Sequence, residues 1–332
     1  MNILDKAIGY FQIGGLNLLL FKAEDKITHR QNGKEYMQKI LKAAEPEEYP
    51  KLLKSIYQIQ TSRSLNLDDP KTFNEMIQWM KLYDTTPLKT RLADKLTVRD
   101  WIKDKVGEQY LIPLLGVWDR FDEIEFDKLP DSFVLKCNHG SQMNVIVKDK
   151  AQLDIKQTKK KFDEWQRTNY AFVNGLELQY KDIRPVIIAE KYIEQMDSNL
   201  LDYKIHVFGG EPKIVQIIGD RIFETHDGKE AFVDLNWNHY DLKFHTYDTY
   251  KALPQKPDNL NEMIYIARTL GAEFRYVRVD LYNVDGNILF GEMTFTPKSG
   301  FGKWGDSSVF NQFMEKGWKR YDKAAQISAS KL

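Results

Sequence analysis

The chain has 332 residues, 42% apolar and 13% aromatic, with 48 basic and 48 acidic side chains; it can bury a sizeable core and is neither disordered nor fibrous in composition. A formal charge of zero and a pI near 7 remove the global positive field that sequence-independent nucleic-acid binding needs. The single cysteine, Cys137, excludes an internal disulfide framework and a multi-cysteine zinc site, and fits a reducing cytoplasm.

Up to about Asp94 the chain reads mainly as helices with loops. The longest apolar stretch, Ile13 to Phe21, is interrupted by Gly14, Gly15 and Asn17 and falls short of the roughly 20 residues a bilayer span requires. It lacks the flanks of a secretory signal and reads as a buried helix or turn, with peripheral membrane docking as the alternative. Between Glu35 and Ile59 the apolar residues Tyr36, Ile40, Leu41, Leu52, Leu53, Ile56 and Tyr57 recur at helical spacing, with a break over Glu45–Pro50. Thr72 with Glu75 three residues on predicts a capped helix carrying Phe73, Met76, Ile77, Met80 and Leu82, ended by Pro87.

The middle changes character. A helix is expected over Arg91–Lys105, then strands at Ser132–Cys137 and Asn144–Lys148 around a small-residue loop, a charged helix over Ile155–Thr168, and a β-branched strand at Arg184–Ile193. Lys159, Lys160 and Lys161, flanked by Asp154, Asp163 and Glu164, read as a solvated helix face. The last third is richest in strands. Tyr203–Phe208 and Lys213–Ile218 flank Gly209-Gly210, and Tyr276–Tyr282 and Asn287–Phe290 flank Asp285-Gly286; both pairs predict hairpins with primed turns, separated by a helix at Asn259–Leu270. Strands and helices interleave without a strict βαβ repeat, which predicts an α+β fold.

Two charged features interrupt strands. Lys136 closes an apolar strand just before Asn138-His-Gly-Ser141, where a glycine lets backbone N–H groups approach an anion; the pattern fits a phosphate cradle, or a polar strand end leading into an ordinary turn. Arg278 and Asp280 share one face of a strand, and the hairpin partner can set Glu292 beside Asp280. Apposed carboxylates repel unless a cation lies between them, so the pair is either an Mg²⁺ site or a structural pair neutralised by Arg278. His29, His139, His206, His226, His239 and His245 show no metal-ligand spacing, no Gly-x-Ser-x-Gly elbow is present, and Cys137 on a buried strand is a poor nucleophile.

In order, Asp94–Arg99, Leu111–Trp118, Phe133–Lys136 with Cys137–Ser141, Ile188–Ile193, Asp202-Tyr-Lys204, Val277–Tyr282 and Glu292–Pro297 resemble the TupA-like ATP-grasp family over about Leu65 to Phe301. The resemblance implies an ATP-grasp fold, two α+β subdomains clasping ATP, preceded by a mainly helical region. The divisions it implies are residues 1–93, a lid-containing subdomain at 94–190, and a C-terminal subdomain with the metal site at 191–332. It implies Arg99, Lys136 and Lys204 on the nucleotide phosphates, Gly140 and Ser141 in the closing loop, and Glu190, Lys191, Tyr192 and Ile193 as the adenine hinge. Asp197 is implied as a ribose ligand, Asp280, Glu292 and Thr294 as Mg²⁺ ligands, and Arg278 as the catalytic arginine of the acyl phosphate, with Lys136 also catalytic.

The implied function is an ATP- and Mg²⁺-dependent carboxylate–amine ligase in capsular or other cell-surface polysaccharide biosynthesis, for example joining an amino acid or small amine to a uronic acid. Its implied partners are a small-molecule or saccharide carboxylate, an amine and membrane-bound polysaccharide machinery met peripherally, with no nucleic acid; its implied place is the cytoplasm. Thr294 stands where the family places asparagine, a departure that keeps a non-catalytic nucleotide-binding scaffold as an alternative. A glycosyltransferase is the other, although no Asp-x-Asp motif is present.

Overall fold

A computed structural model describes residues 3–28, 31–193, 200–222, 227–244 and 247–329. The chain divides into two compact units, both discontinuous in sequence: residues 1–87, 169–182 and 296–303 form the first, and 88–168, 183–295 and 304–332 the second.

The first unit is built on helices α1 (Ile3–Thr28), α2 (Asn32–Ala43), α3 (Tyr49–Thr61) and α4 (Phe73–Tyr83). α1 is kinked at Gly14-Gly15, where Gly15 takes φ +60°, a conformation glycine adopts without steric cost. The expected break before α3 is shorter than the sequence suggests: Pro50 lies in the first turn of α3, where a missing amide hydrogen costs nothing. α4 starts on the expected capping box. The Thr72 hydroxyl accepts from the Glu75 amide, and the Glu75 carboxylate accepts from the Thr72 amide at 2.9 Å. α4 stops at Tyr83, and Pro87 opens the next helix rather than ending this one. Leu18, Leu41, Leu53, Ile56 and Tyr57 make the core with Phe172 and Leu176 from the second segment.

This core also encloses charge. Lys81 is fully buried; its ammonium donates to the Gly175 carbonyl (2.9 Å) and the Ser299 hydroxyl (2.7 Å) and lies 4.5 Å from the Phe301 ring centre. Glu177, also buried, accepts from the Thr296 hydroxyl at 2.5 Å. Burial pulls the Lys81 ammonium down to about 7 against the opposing pull of Glu177, and burial raises the Glu177 carboxyl. Lys298, Ser299 and Gly300 all take left-handed backbone here, held by Gln78 donating to the Ser299 and Gly300 carbonyls.

In the second unit the expected helix over Arg91–Lys105 is two helices, α5 (Pro87–Ala93) and α6 (Val98–Lys105). The break centres on Asp94, whose carboxylate accepts from the Leu96 amide at 2.8 Å and from Asn138 at 2.9 Å, an alternative to helical backbone bonding. β1 (Leu114–Trp118), β2 (Phe133–Cys137), β3 (Asn144–Val147), α7 (Ile155–Arg167) and β4 (Ile187–Lys191) follow, and the strands pair antiparallel in the order β1-β4-β2-β3.

The larger sheet has seven strands: β5 (Asp202–Phe208), β6 (Glu211–Ile222), β7 (Asp227–Val233), β8 (His239–Tyr240), β9 (Asp248–Thr249), β10 (Tyr276–Val284) and β11 (Asn287–Thr294), ordered β11-β10-β5-β6-β7-β8 with β9 parallel to β7. α8 (Leu260–Gly271) and α9 (Ser308–Ala329) complete the unit. Both expected hairpin turns have positive φ at their two central residues, +55° and +82° at Gly209-Gly210 and +51° and +84° at Asp285-Gly286. Alternation along the strands then divides the sheet. Tyr203, Ile205, Val207, Val277, Val279 and Leu281 pack on α8, which sends Asp202, Lys204, His206, Arg278 and Asp280 to the opposite face.

Candidate active site

A cleft of about 730 Å³ is lined by both sheets of the second unit. From the smaller sheet and α6 come Lys136, Glu190 and Arg99. Glu190 stands opposite Val134 in the β2–β4 register, and Lys136, two residues along β2, shares that face. The Lys136 ammonium donates to one Glu190 oxygen at 2.5 Å, and the Arg99 guanidinium donates to the other at 3.2 Å and to the Ile112 carbonyl at 2.9 Å.

The larger sheet supplies a second network. Lys204, Asp280 and Glu292 lie side by side across β5, β10 and β11, because the register pairs Asp280 with each of the others. Lys204 reaches Asp280 at 2.5 Å and Asp202 at 2.7 Å. Arg278 grips Asp280 through two bonds, 2.6 and 2.7 Å, and extends to Glu292 at 3.4 Å and the Thr294 hydroxyl at 3.1 Å. Partial burial would raise the Glu292 carboxyl, but Lys95, Arg278 and Lys204 together hold it below the usual range. Burial works against the charge on Arg278, and Asp280 more than offsets it.

The expected repulsion between Asp280 and Glu292 is therefore already relieved by cations of the chain. The pair still presents hard carboxylate oxygens on adjacent strands, the donor chemistry of Mg²⁺, which completes its shell with water and phosphate. Among the described residues no group of three or more His, Cys, Asp or Glu side chains is placed to hold a metal without such outside ligands.

Arg99, Lys136, Ser141, Glu190, Lys204, Asp280 and Glu292 all line this cleft. Arg278 and Thr294 touch it through the two carboxylates. Gly140 is buried next to Ser141, Lys191 is exposed with its amide donating to the Pro113 carbonyl at 3.0 Å, and Tyr192 and Ile193 are buried. Asp197, the expected ribose ligand, lies outside the described residues.

Lys95 is the residue that sequence reasoning passed over. It lines the cleft, donates to the Gly140 carbonyl, and is pulled down by burial against the opposing fields of Glu292 and Glu190. Its signal lay in the Asp94–Arg99 motif, where only Arg99 drew a role. Asp202, two residues before Lys204 on the same strand face, was missed likewise. Asn138 and His139, by contrast, are staples of the loop. Asn138 bonds Asp94, the Arg184 carbonyl and the Val186 amide, and a His139 ring nitrogen meets the Trp165 carbonyl at 3.0 Å. Burial pushes the Cys137 thiol up to about 12, which removes it as a nucleophile.

Two mainly antiparallel sheets that turn ranks of lysine, arginine and carboxylate onto one cleft describe the nucleotide-clasping class of ATP-grasp proteins. The chain belongs to the TupA-like ATP-grasp family, whose sequence profile matches residues 75–313. Among solved structures it is similar to the ATP-grasp ligase PsnB complexed with a minimal precursor (12% identity, TM-score 0.39, covering 73% of this chain and 67% of that one). It is similar also to D-alanyl-alanine synthetase A from Vibrio cholerae O1 biovar eltor str. N16961 (12%, 0.43, 75% and 72%). A third is the L-amino acid ligase from Bacillus licheniformis (16%, 0.41, 67% of this chain), of which the chain spans 48%. PsnB has been solved with Mg and ADP and with AMPPNP. No curated protein matches the chain.

Proposed function

We propose that this chain is an ATP- and Mg²⁺-dependent carboxylate–amine ligase that forms an amide through an acyl phosphate. Its setting is the cytoplasmic biosynthesis of a capsular or other cell-surface polysaccharide, for example the joining of an amino acid or small amine to a uronic acid. The observation that carries this reading is the cleft's alternation of charge in a TupA-like ATP-grasp chain: Lys95, Arg99, Lys136 and Lys204 interleaved with Glu190, Asp202, Asp280 and Glu292.

In this reading Arg99 and Lys136 exchange Glu190 for nucleotide phosphates, Lys204 meets the same group from the larger sheet, and Gly140 with Ser141 closes over it. Glu190 to Ile193 forms the adenine hinge through backbone groups, and Asp197 takes the ribose. Asp280 and Glu292, with Thr294 beside them, would hold Mg²⁺, which would supply neutralisation of phosphate charge. Arg278 holds the substrate carboxylate as its oxygen attacks the γ-phosphorus and ADP leaves. The amine then attacks the acyl carbon, phosphate departs with the bonding pair, and the ammonium proton passes to the departing phosphate. Arg278, whose Nε and Nη2 are held on Asp280, would turn its remaining Nη1 hydrogens to the oxyanion of that step.

The test is incubation with ATP, Mg²⁺, a hexuronate and an amine mixture. ADP release that requires both organic substrates, with hydroxamate formed when hydroxylamine replaces the amine, is the expected result. Sugar transfer without ATP, or nucleotide binding with no turnover on any pair, overturns the reading.

A further inference from the structure

Helix α1 buries some of its apolar side chains and leaves others exposed in each of the two pieces that meet at Gly14-Gly15. Ile13 and Leu18 enter the core of the first unit, and the glycines let neighbours close in: a Cβ at Gly9 would lie 2.6 Å from Ile59, and one at Gly14 2.5 Å from Ile40. Ile8, Phe11, Leu16 and Leu20 nevertheless remain 48–59% exposed. Eight large apolar side chains are exposed among the described residues, and these four belong to this single helix. Scattered exposed apolar residues are ordinary, whereas a concentration on one element marks a surface that meets something.

The charge around them narrows the occupant. The exposed charged residues of α1 and α3 are Lys6, Lys26, Lys51 and Lys54 against one acid, Asp5, with Glu45, Glu47 and Glu48 exposed in the turn before α3; Lys51 and Lys54 share a concave surface with Phe11, where Glu47 is the only carboxylate. Self-pairing about a two-fold axis would set this lysine-rich rim against its own copy. Anionic headgroups would neutralise it. No helix among the described residues is long and apolar enough to cross a membrane, and the kink at Gly15 divides α1 into two short pieces, so contact is with the surface of a bilayer.

We infer that α1, with Lys51 and Lys54 of α3, is an interfacial docking surface for an anionic lipid bilayer. Phe11, Leu16 and Leu20 enter the headgroup–acyl boundary, and the lysines meet lipid phosphates, the two-part recognition that lets a peripheral protein bind reversibly.

Flotation of the full chain with phosphatidylcholine vesicles, with and without phosphatidylglycerol, tests this. Binding is expected only to the anionic vesicles and should weaken with salt. Leu16→Ser with Leu20→Ser, and separately Lys51→Glu with Lys54→Glu, should each weaken it by about tenfold or more. Both pairs are exposed, so thermal unfolding should stay unchanged and separate lost docking from lost folding. Failure to float with either vesicle, or equal binding to both, overturns the inference. So does a dimer in sedimentation equilibrium that Leu16→Ser with Leu20→Ser dissociates, since a second copy would then cover the surface.

Discussion

Glu190 occupies both basic groups of the smaller sheet, Lys136 at 2.5 Å and Arg99 at 3.2 Å, with its side chain only 9% exposed. If those cations serve nucleotide phosphates, the carboxylate competes with the ligand, and removing its charge should have opposite effects on stability and affinity. Glu190→Gln keeps the shape and a neutral acceptor. A hydrogen bond to a charged group contributes about 1.5–3 kcal/mol, so the ligand-free protein should lose roughly that much stability. A bound polyphosphate replaces Glu190 as the partner of both cations, so the complex loses far less. At about 1.4 kcal/mol per decade, AMPPNP should bind roughly tenfold tighter or better. Calorimetric titration at fixed ionic strength, beside thermal unfolding of the same samples, measures both. Weaker AMPPNP binding at unchanged Tm would refute the reasoning and make the Glu190 side chain a nucleotide ligand instead of its competitor.

Lys136→Ala should raise the KM for ATP by about 10- to 100-fold, the loss of a charge-assisted phosphate contact; unchanged ATP kinetics would leave Lys136 a purely structural partner of Glu190. Glu292→Gln, with a side chain 40% exposed, should abolish Mg²⁺-dependent turnover with little change in Tm, whereas Asp280→Asn strands buried Arg278 and Lys204 and should cost about 3–5 kcal/mol in denaturant unfolding. Equal destabilisation of the two would contradict this division. Arg278→Lys should leave ATP affinity within about threefold and lower amide formation by about 10²-fold, and parallel losses would make Arg278 a nucleotide ligand. Lys81 titrates near 7 when folded against 10.5 ordinarily, so between these values the unfolded chain binds more protons. Its contribution to stability is complete above the ordinary value and is lost as pH falls through about 7; Glu177, raised by burial, has the opposite sign at lower pH. Lys81→Met should flatten the rise of Tm between about pH 7 and 9, and an identical profile in both proteins would refute the assignment.

Where a residue's neighbours in sequence determine its geometry, the fold was legible. Gly209-Gly210 and Asp285-Gly286 need positive φ at two successive positions, which few residues supply, and the register they impose brings Lys204, Asp280 and Glu292 abreast. Thr72 with Glu75 marked the start of α4 for the same reason. The break between α5 and α6 was not legible, because it depends on Asn138, 44 residues beyond Asp94. β7 also escaped notice, its first residues Asp227-Gly-Lys-Glu carrying no alternation of apolar side chains. In the site, the alternation along β5 and β10 indicated which residues share a face. It could not indicate that Glu190 would take up Lys136 and Arg99, since that requires knowing that β4 lies between β1 and β2.

The first unit takes its final segment, residues 296–303, from the far end of the chain, and this orders its assembly during translation. Lys81 leaves the ribosome with α4, but the Gly175 carbonyl follows 94 residues later and the Ser299 hydroxyl 218 residues later. At roughly 5–20 residues per second, the second wait lasts about 10–45 s. Through that interval the ammonium has no complete set of acceptors, and burying it alone would be strongly unfavourable. The enclosure of Lys81 in the first unit must therefore wait for residues 296–303. Because Ser299 follows β11, the strand bearing Glu292 has always been synthesised by the time Lys81 can be enclosed. A chain that stops before Ser299 lacks one of the two acceptors of the Lys81 ammonium.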